Sequence, residues 1–193
     1  MSTINFGVAV PQGALTGNVD GINAYVSSYI ATDVSGGYQL PNTTIFCISP
    51  DQIASTAVSS YTVLQGVTNP NFSTQQISAL EGIFSHYIDA GDTSANAQAI
   101  TMVADWKIVN PKLVVSNISQ NVLNAADVLA NQALASQLTI DPTLKFTTLQ
   151  SQGGCSQDFV NISQVPLPAS LGMFVCAIAL LGLYAARKKL AAV

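Results

Sequence analysis

The side chains able to make or break bonds in this 193-residue chain are few: three thiols, one imidazole and scattered carboxylates. Cys47 stands in Phe46-Cys47-Ile48-Ser49-Pro50-Asp51-Gln52, and a thiolate is the best nucleophile a side chain offers. Cys155 is the second thiol. An oxidising compartment would permit a Cys47–Cys155 disulfide, although separation along the chain says nothing about distance in space. A buried structural thiol is the other plain reading of Cys47. Cys176 lies within an apolar run and reads as a small hydrophobe. His86, the single histidine, has no carboxylate or serine at a motif spacing and falls on the polar side of a helix, so it is expected to be exposed. Asp89 and Asp92 flank Gly91. Their oxygens suit calcium, but two carboxylates around one glycine fall short of an EF-hand loop and read as a helix-end turn. No Cys/His cluster has metal-ligand spacing, and no phosphate loop, triad or carboxylate pair is visible. The chain reads as a non-enzyme without metal or cofactor. Four Asn-x-Ser/Thr matches, at Asn42, Asn71, Asn117 and Asn161, are the number that chance supplies in a chain so rich in these residues.

The elements that must position these groups change period along the chain. Ile4 to Val10, Ile22 to Ile30, Thr43 to Ile48 and Ser59 to Leu64 partly alternate and carry β-branched or aromatic residues, which predicts strands. Pro11-Gln12-Gly13 and Ser35-Gly36-Gly37 read as turns, and Asp51 to Ala57 as one helical turn. Ser73 with Gln76 three residues later is a capping box. Behind it Ile77, Leu80, Ile83, Phe84, Tyr87 and Ile88 form one helical stripe that should stop at Gly91. A second helix is expected from Thr93 or Ser94 to Val109, ended by Asn110-Pro111. A third runs from about Ser119 to Ser136, burying Val122, Leu123, Ala126, Leu129, Ala130 and Leu134. Gln137 to Ile140, Lys145 to Gln150 and Asp158 to Ile162 then read as strands. Strands, helices, then strands predict an α+β domain with a mainly antiparallel or sandwich-like sheet and about three central helices. Trp106 should pack the second helix on that sheet.

The chain ends differently. Ala169 to Ala186 are 18 residues without a charge, about 27 Å of helix at ~1.5 Å per residue and close to one hydrocarbon core. Arg187, Lys188 and Lys189 follow and would hold the C-terminus on the cytoplasmic side. Ahead of the span stands Val165-Pro166-Leu167-Pro168-Ala169, whose prolines favour an extended handle. The expected division is a domain at 1–160, a linker at 161–169, a transmembrane helix at 170–186 and a basic tail at 187–193. Charged residues are only 8% of the chain, against ~25% in ordinary domains. Residues 1–164 hold all ten acids and three lysines, a net of minus seven, which argues against nucleic acid as a partner. Residues 1–21 contain no Lys or Arg and no long apolar run, so the pattern of a secretory signal, expected of an exported chain, is missing there.

The proline motif, single span and basic cluster, in that order over residues 164 to 189, resemble the PEP-CTERM sorting signal. That resemblance implies an exosortase-like sorting enzyme acting near Val165 to Ala169, and a chain held at the membrane and then released to the surface or extracellular matrix. Three further landmarks resemble those of a group of exported proteins with this tail: Phe46 to Gln52, Trp106-Lys107-Ile108-Val109, and Ser156-Gln157-Asp158-Phe159. The Cys and helical Gln also resemble the thioester domains of bacterial surface adhesins, where thiol and carboxamide condense into an electrophile that amines or hydroxyls attack. Here Met102 stands in the family's glutamine register, and Gln98 lies one turn earlier, on the same face but displaced by ~6 Å. The resemblances together imply a structural or adhesive surface protein, with a Cys47–Gln98 covalent binder and a plain single-span anchored module as alternatives. The surface ligand, an extracellular polysaccharide among the candidates, is not specified by any motif.

Overall fold

The computed structural model describes residues 2–41, 43–50, 52, 57–152 and 157–164. The sorting motif, the candidate span and the basic cluster lie outside them, as do Cys155 and most of Asp51 to Ala57. No helix among the described residues is long and apolar enough to cross a membrane.

The strands are β1 (Ser2–Ala9), β2 (Thr16–Val19), β3 (Ile22–Tyr25), β4 (Tyr29–Gly36), β5 (Thr44–Cys47), β6 (Ser59–Gln65), β7 (Val115–Ser116), β8 (Leu144–Ser151) and β9 (Phe159–Gln164). The helices are α1 (Thr74–Ala90), α2 (Ala95–Val109) and α3 (Gln120–Leu134). The expected α+β class holds, but the larger sheet is a closed barrel in the order β1-β4-β5-β9-β8-β6, not a sandwich. Closure follows because β1 pairs on both sides, with β4 and with β6, each antiparallel. A second sheet has the order β3-β2-β7.

Local chemistry sets the helix ends. Ser73 and Gln76 form the capping box, and Gly91 closes α1 in the left-handed region at φ 62°. Gln76 Nε2 also reaches the carbonyl of Ile108, 2.9 Å away, so one carboxamide serves the start of α1 and the end of α2. Ser94 and Ser119 cap α2 and α3. Helix α2 is buried around most of its circumference, including Met102, Val103, Ala104, Asp105 and Trp106. It is the central helix, packed by both α1 and α3.

Three expected elements are corrected. Ile22 to Ile30 is two strands, because Val26 N–H bonds Leu15 O in the small sheet while Tyr29 pairs with Ile45 in the barrel. The chain changes sheets at Ser27-Ser28. The turn expected at Ser35-Gly36-Gly37 begins later, since β4 continues through Gly36 at φ 112° beside β1; a Cβ there would meet Thr3 O at 2.9 Å. Gln137 to Ile140 is irregular, not a strand: Leu138 packs on Gly82 of α1 and Asp141 N–H bonds Ser85 Oγ, so the segment serves as a strap over the helix.

The barrel interior is aromatic. Phe6 stacks on Tyr61 at 4.1 Å, and Phe159 meets Phe6, Tyr61 and Tyr29 edge-on. Alternation along β5 turns Phe46 the other way, onto Phe84 and Tyr87 of α1. Ile45 and Cys47 therefore share the face opposite Phe46.

Candidate functional site

The three sequence landmarks converge at the end of β5. Register pairs Cys47 with Phe159 and Phe46 with Val160, so the first and third landmarks are ladder neighbours. Beyond the ladder, Ile48 N–H donates to Asp158 O at 3.0 Å and Asp158 N–H to Ser49 Oγ at 3.3 Å. Gln157 Nε2 donates to Gln52 O. The second landmark closes the group: Trp106 Nε1–H donates to the carbonyl of Cys47 at 3.1 Å. Trp106 is thus a core residue, as expected, with its polar atom anchoring the thiol-bearing strand.

Cys47 is a free, fully buried thiol whose Sγ accepts from Ser49 N–H at 3.4 Å. Burial pushes its pKa far above the ordinary thiol value, against a smaller downward pull from the Ser49 N–H; the carboxyls of Asp105 and Asp158 add to the rise. At neutral pH it is a protonated thiol, inert toward reagents in solution.

Gln98 lies elsewhere on the same helix. Its Oε1 accepts from Ser27 Oγ at 2.6 Å and Ser28 Oγ at 2.9 Å, and its Nε2 donates to Thr93 O at 2.9 Å. No hydrogen bond joins it to Cys47 Sγ. Ser27 and Ser28 lie just ahead of Tyr29, whose strand pairs with the thiol-bearing strand through Ile45. The carboxamide is therefore docked on the link between the two sheets, with two hydroxyls donating to its carbonyl oxygen. Met102, in the family's glutamine register, is fully buried in the core.

Asp105 is the feature that sequence reading passed over. It is fully buried, neither carboxyl oxygen has a hydrogen-bond partner, and burial holds its pKa well above the carboxylate range. A signal existed. Asp105 stands in the otherwise uncharged run Ala95 to Trp106, directly beside Trp106, where a lone carboxyl is out of place. Ser27 and Ser28 were missed for another reason, since isolated serines carry no motif.

His86 is exposed, as expected. Asp92 Oδ1 accepts from Ser94 N–H at 2.9 Å, a turn contact that lowers its pKa, and Asp89 is exposed beside Gly91. Among the described residues no three His, Cys, Asp or Glu side chains gather into a metal site. Asn161 is buried and its Nδ2 donates to Thr44 O, so that sequon is closed to any modifying enzyme in the folded state.

A cavity of about 560 Å³ opens beside the landmarks, walled by Val8, Val10, Val19, Tyr29, Pro50 and Trp106, with Gln52, Gln157 and strand β3 completing it.

No protein-family model matches the chain, and no curated protein matches it in sequence. Solved structures do. The chain is similar to the N-terminal thioester domain of a surface protein from Clostridium perfringens, at 12% identity and TM-score 0.52, covering 83% of this chain and 98% of that one. It is also similar to the N-terminal thioester domain of a protein F2-like fibronectin-binding protein from Streptococcus pneumoniae, at 11% identity and TM-score 0.50, covering 83% and 93%. At these identities the likeness establishes the fold, and it is the fold of the thioester domains that the Cys and helical Gln resemble.

Proposed function

We propose that this chain is a non-enzymatic adhesive or structural protein of a bacterial cell surface, carried on the thioester-domain fold and sorted through its C-terminal tail. The observation that carries the reading is the fold correspondence along nearly the whole length of two surface-protein domains. The tail supports it independently: a proline handle at Val165 to Ala169, an uncharged run, and Arg187, Lys188 and Lys189 to set orientation. In this reading the membrane is a transient anchor and an exosortase-like enzyme trims the chain near Pro168. Mass spectrometry of the surface-exposed protein tests it. Loss of the residues after about Pro168 is expected in cells holding the sorting enzyme, and an intact C-terminus there would leave only a plain membrane anchor.

A covalent binder is the second reading, favoured by the docking of Gln98 on Ser27 and Ser28. Its chemistry balances simply: Cys47 Sγ attacks Gln98 Cδ, the C–N bond breaks, ammonia leaves and a thioester remains. Two polarising hydroxyls are the kind of donors that stabilise the intervening oxyanion. Against it stand the protonated, enclosed thiol and the occupied Nε2. Intact mass decides: a deficit of about 17 Da, the mass of ammonia lost on acyl transfer, abolished by Cys47→Ala, would establish the thioester. Full mass with one thiol titrating on unfolding would remove it.

A further inference from the structure

Strand β3 is the outer strand of its sheet. The two-residue turn Asp20-Gly21, with φ 49° and 89°, joins Val19 to Ile22, and Val26 N–H donates to Leu15 O at 2.8 Å. Bonded and non-bonded pairs alternate along an antiparallel ladder. With Val26/Leu15, Ala24/Gly17 and Ile22/Val19 as the bonded pairs, Asn23 and Tyr25 turn their peptide groups to the outer edge, where the Tyr25 carbonyl accepts from Tyr29 Oη at 3.5 Å and the Asn23 groups are left for a partner. That edge has none of the usual guards: no Lys, no Pro and no charge within Ile22–Tyr25. Ile22 and Tyr25 are 60% and 46% exposed.

All four β3 residues also line the 560 Å³ cavity, whose other walls are mostly apolar, both aliphatic and aromatic. Gln157 retains 6% of its exposure, and its Oε1 and that of Gln52 are buried without a partner. The lining contains no Lys, Arg or His, which disfavours anions, and its one carboxylate, Asp20, already accepts from Val114 N–H at 2.8 Å. What the cavity lacks is an apolar body carrying a neutral donor. The side chains that combine the two are tyrosine and tryptophan. A sugar fits less well, because the aromatic faces it would stack on, Trp106 and Tyr29, are 2% and 5% exposed.

We propose that β3 and this cavity bind an extended, uncharged peptide segment of a partner protein as an added strand, with a Tyr or Trp side chain inserted toward Gln157 Oε1. Main-chain bonds to the N–H and carbonyl of Asn23 and to the N–H of Tyr25 supply affinity, and the cavity selects the side chain. The proposal deepens the adhesive reading, on which it rests for its setting, by naming the class of partner.

The test uses the full chain and an array of acetylated, amidated hexapeptides in which Thr alternates with Tyr, Trp, Val or Ala. Retention of the Tyr and Trp peptides over the Ala peptides is expected, with a loss of tenfold or more in Asn23→Pro, which removes an outward N–H. Ile22→Lys, at an exposed position, is expected to give the same loss and carries the test should the proline variant unfold. Equal retention by the wild type and Ile22→Lys would overturn the proposal. So would binding of maltohexaose or chitohexaose in place of the peptides, which would leave the adhesive reading intact. A wild-type dimer in sedimentation that Ile22→Lys dissociates would make a second copy the occupant and likewise overturn it. Failure of surface display, read separately by C-terminal mass, would count against the adhesive reading alone.

Discussion

Two regions a few residues apart in the fold treat polar atoms in opposite ways. Around Cys47 everything is enclosed: the thiol is protonated, Trp106 seals its carbonyl, and the Asp105 carboxyl is buried without a partner. At the β3 edge the backbone faces outward, and Gln157, whose unpartnered oxygen is buried, lines the wall of the adjoining cavity. A buried polar atom without a partner costs about 1–3 kcal/mol wherever it sits. The second region is able to recover that cost when a ligand arrives, whereas the first carries it permanently. A sealed pocket of polar atoms and an open backbone edge thus stand in one small domain.

The contrast is broken most forcefully at Trp106. Trp106→Ala should destabilise the domain by roughly 3–5 kcal/mol, the range for deleting a buried aromatic side chain, and should open Cys47 to thiol reagents. Chemical denaturation and thiol titration of the native state measure both, and a thiol still silent in a folded variant would show that the seal lies elsewhere. Asp105→Leu works in the opposite direction. Relief of the unpartnered carboxyl should stabilise the domain by roughly 2 kcal/mol at neutral pH. Its pH dependence has a fixed sign. The folded pKa is raised, so the ionisation part of the penalty is absent below the unfolded value; as pH climbs past that value the unfolded chain sheds its proton first and native stability falls until the folded pKa is reached. Thermal unfolding from pH 4 upward should therefore show the advantage of Asp105→Leu growing with pH. A constant difference would mean the carboxyl has found a partner.

Smaller effects sharpen the comparison. Gln98→Ala strips the acceptor from two buried hydroxyls and should cost about 1–2 kcal/mol in denaturant unfolding. No loss would mean that Ser27 and Ser28 find other partners. Ile22→Lys, on the open edge, should change stability by no more than about 0.5 kcal/mol, so any binding defect it causes reports recognition alone.

Legibility followed the range of the interactions. The helices were readable because their caps are local: Ser73 with Gln76, Ser94, Ser119, Gly91 and Asn110-Pro111 each act within one turn. The turn Asp20-Gly21 was equally local, a strong hairpin signal between Val19 and Ile22, but Thr16 to Val19 lacks the alternation that marks a strand and the hairpin went unread. Barrel closure was not readable, since β1 finds β6 across more than fifty residues and nothing in either strand names the other. The site was half legible. Landmarks drew attention to Cys47, Gln52, Trp106 and Gln157, while the residue that sets the character of the thiol's surroundings, Asp105, stood in plain view within a helix stripe and was passed over as ordinary.

Strand β9 completes the barrel late in synthesis. Since β9 inserts between β5 and β8, a nascent chain holds two raw edges until residue 164 has emerged, and Phe159, Val160 and Ile162 have nowhere to go before then. Completion is deferred to the moment the segment bearing Val165 is delivered. The barrel is thus a ring whose clasp is made last, at the far end of synthesis.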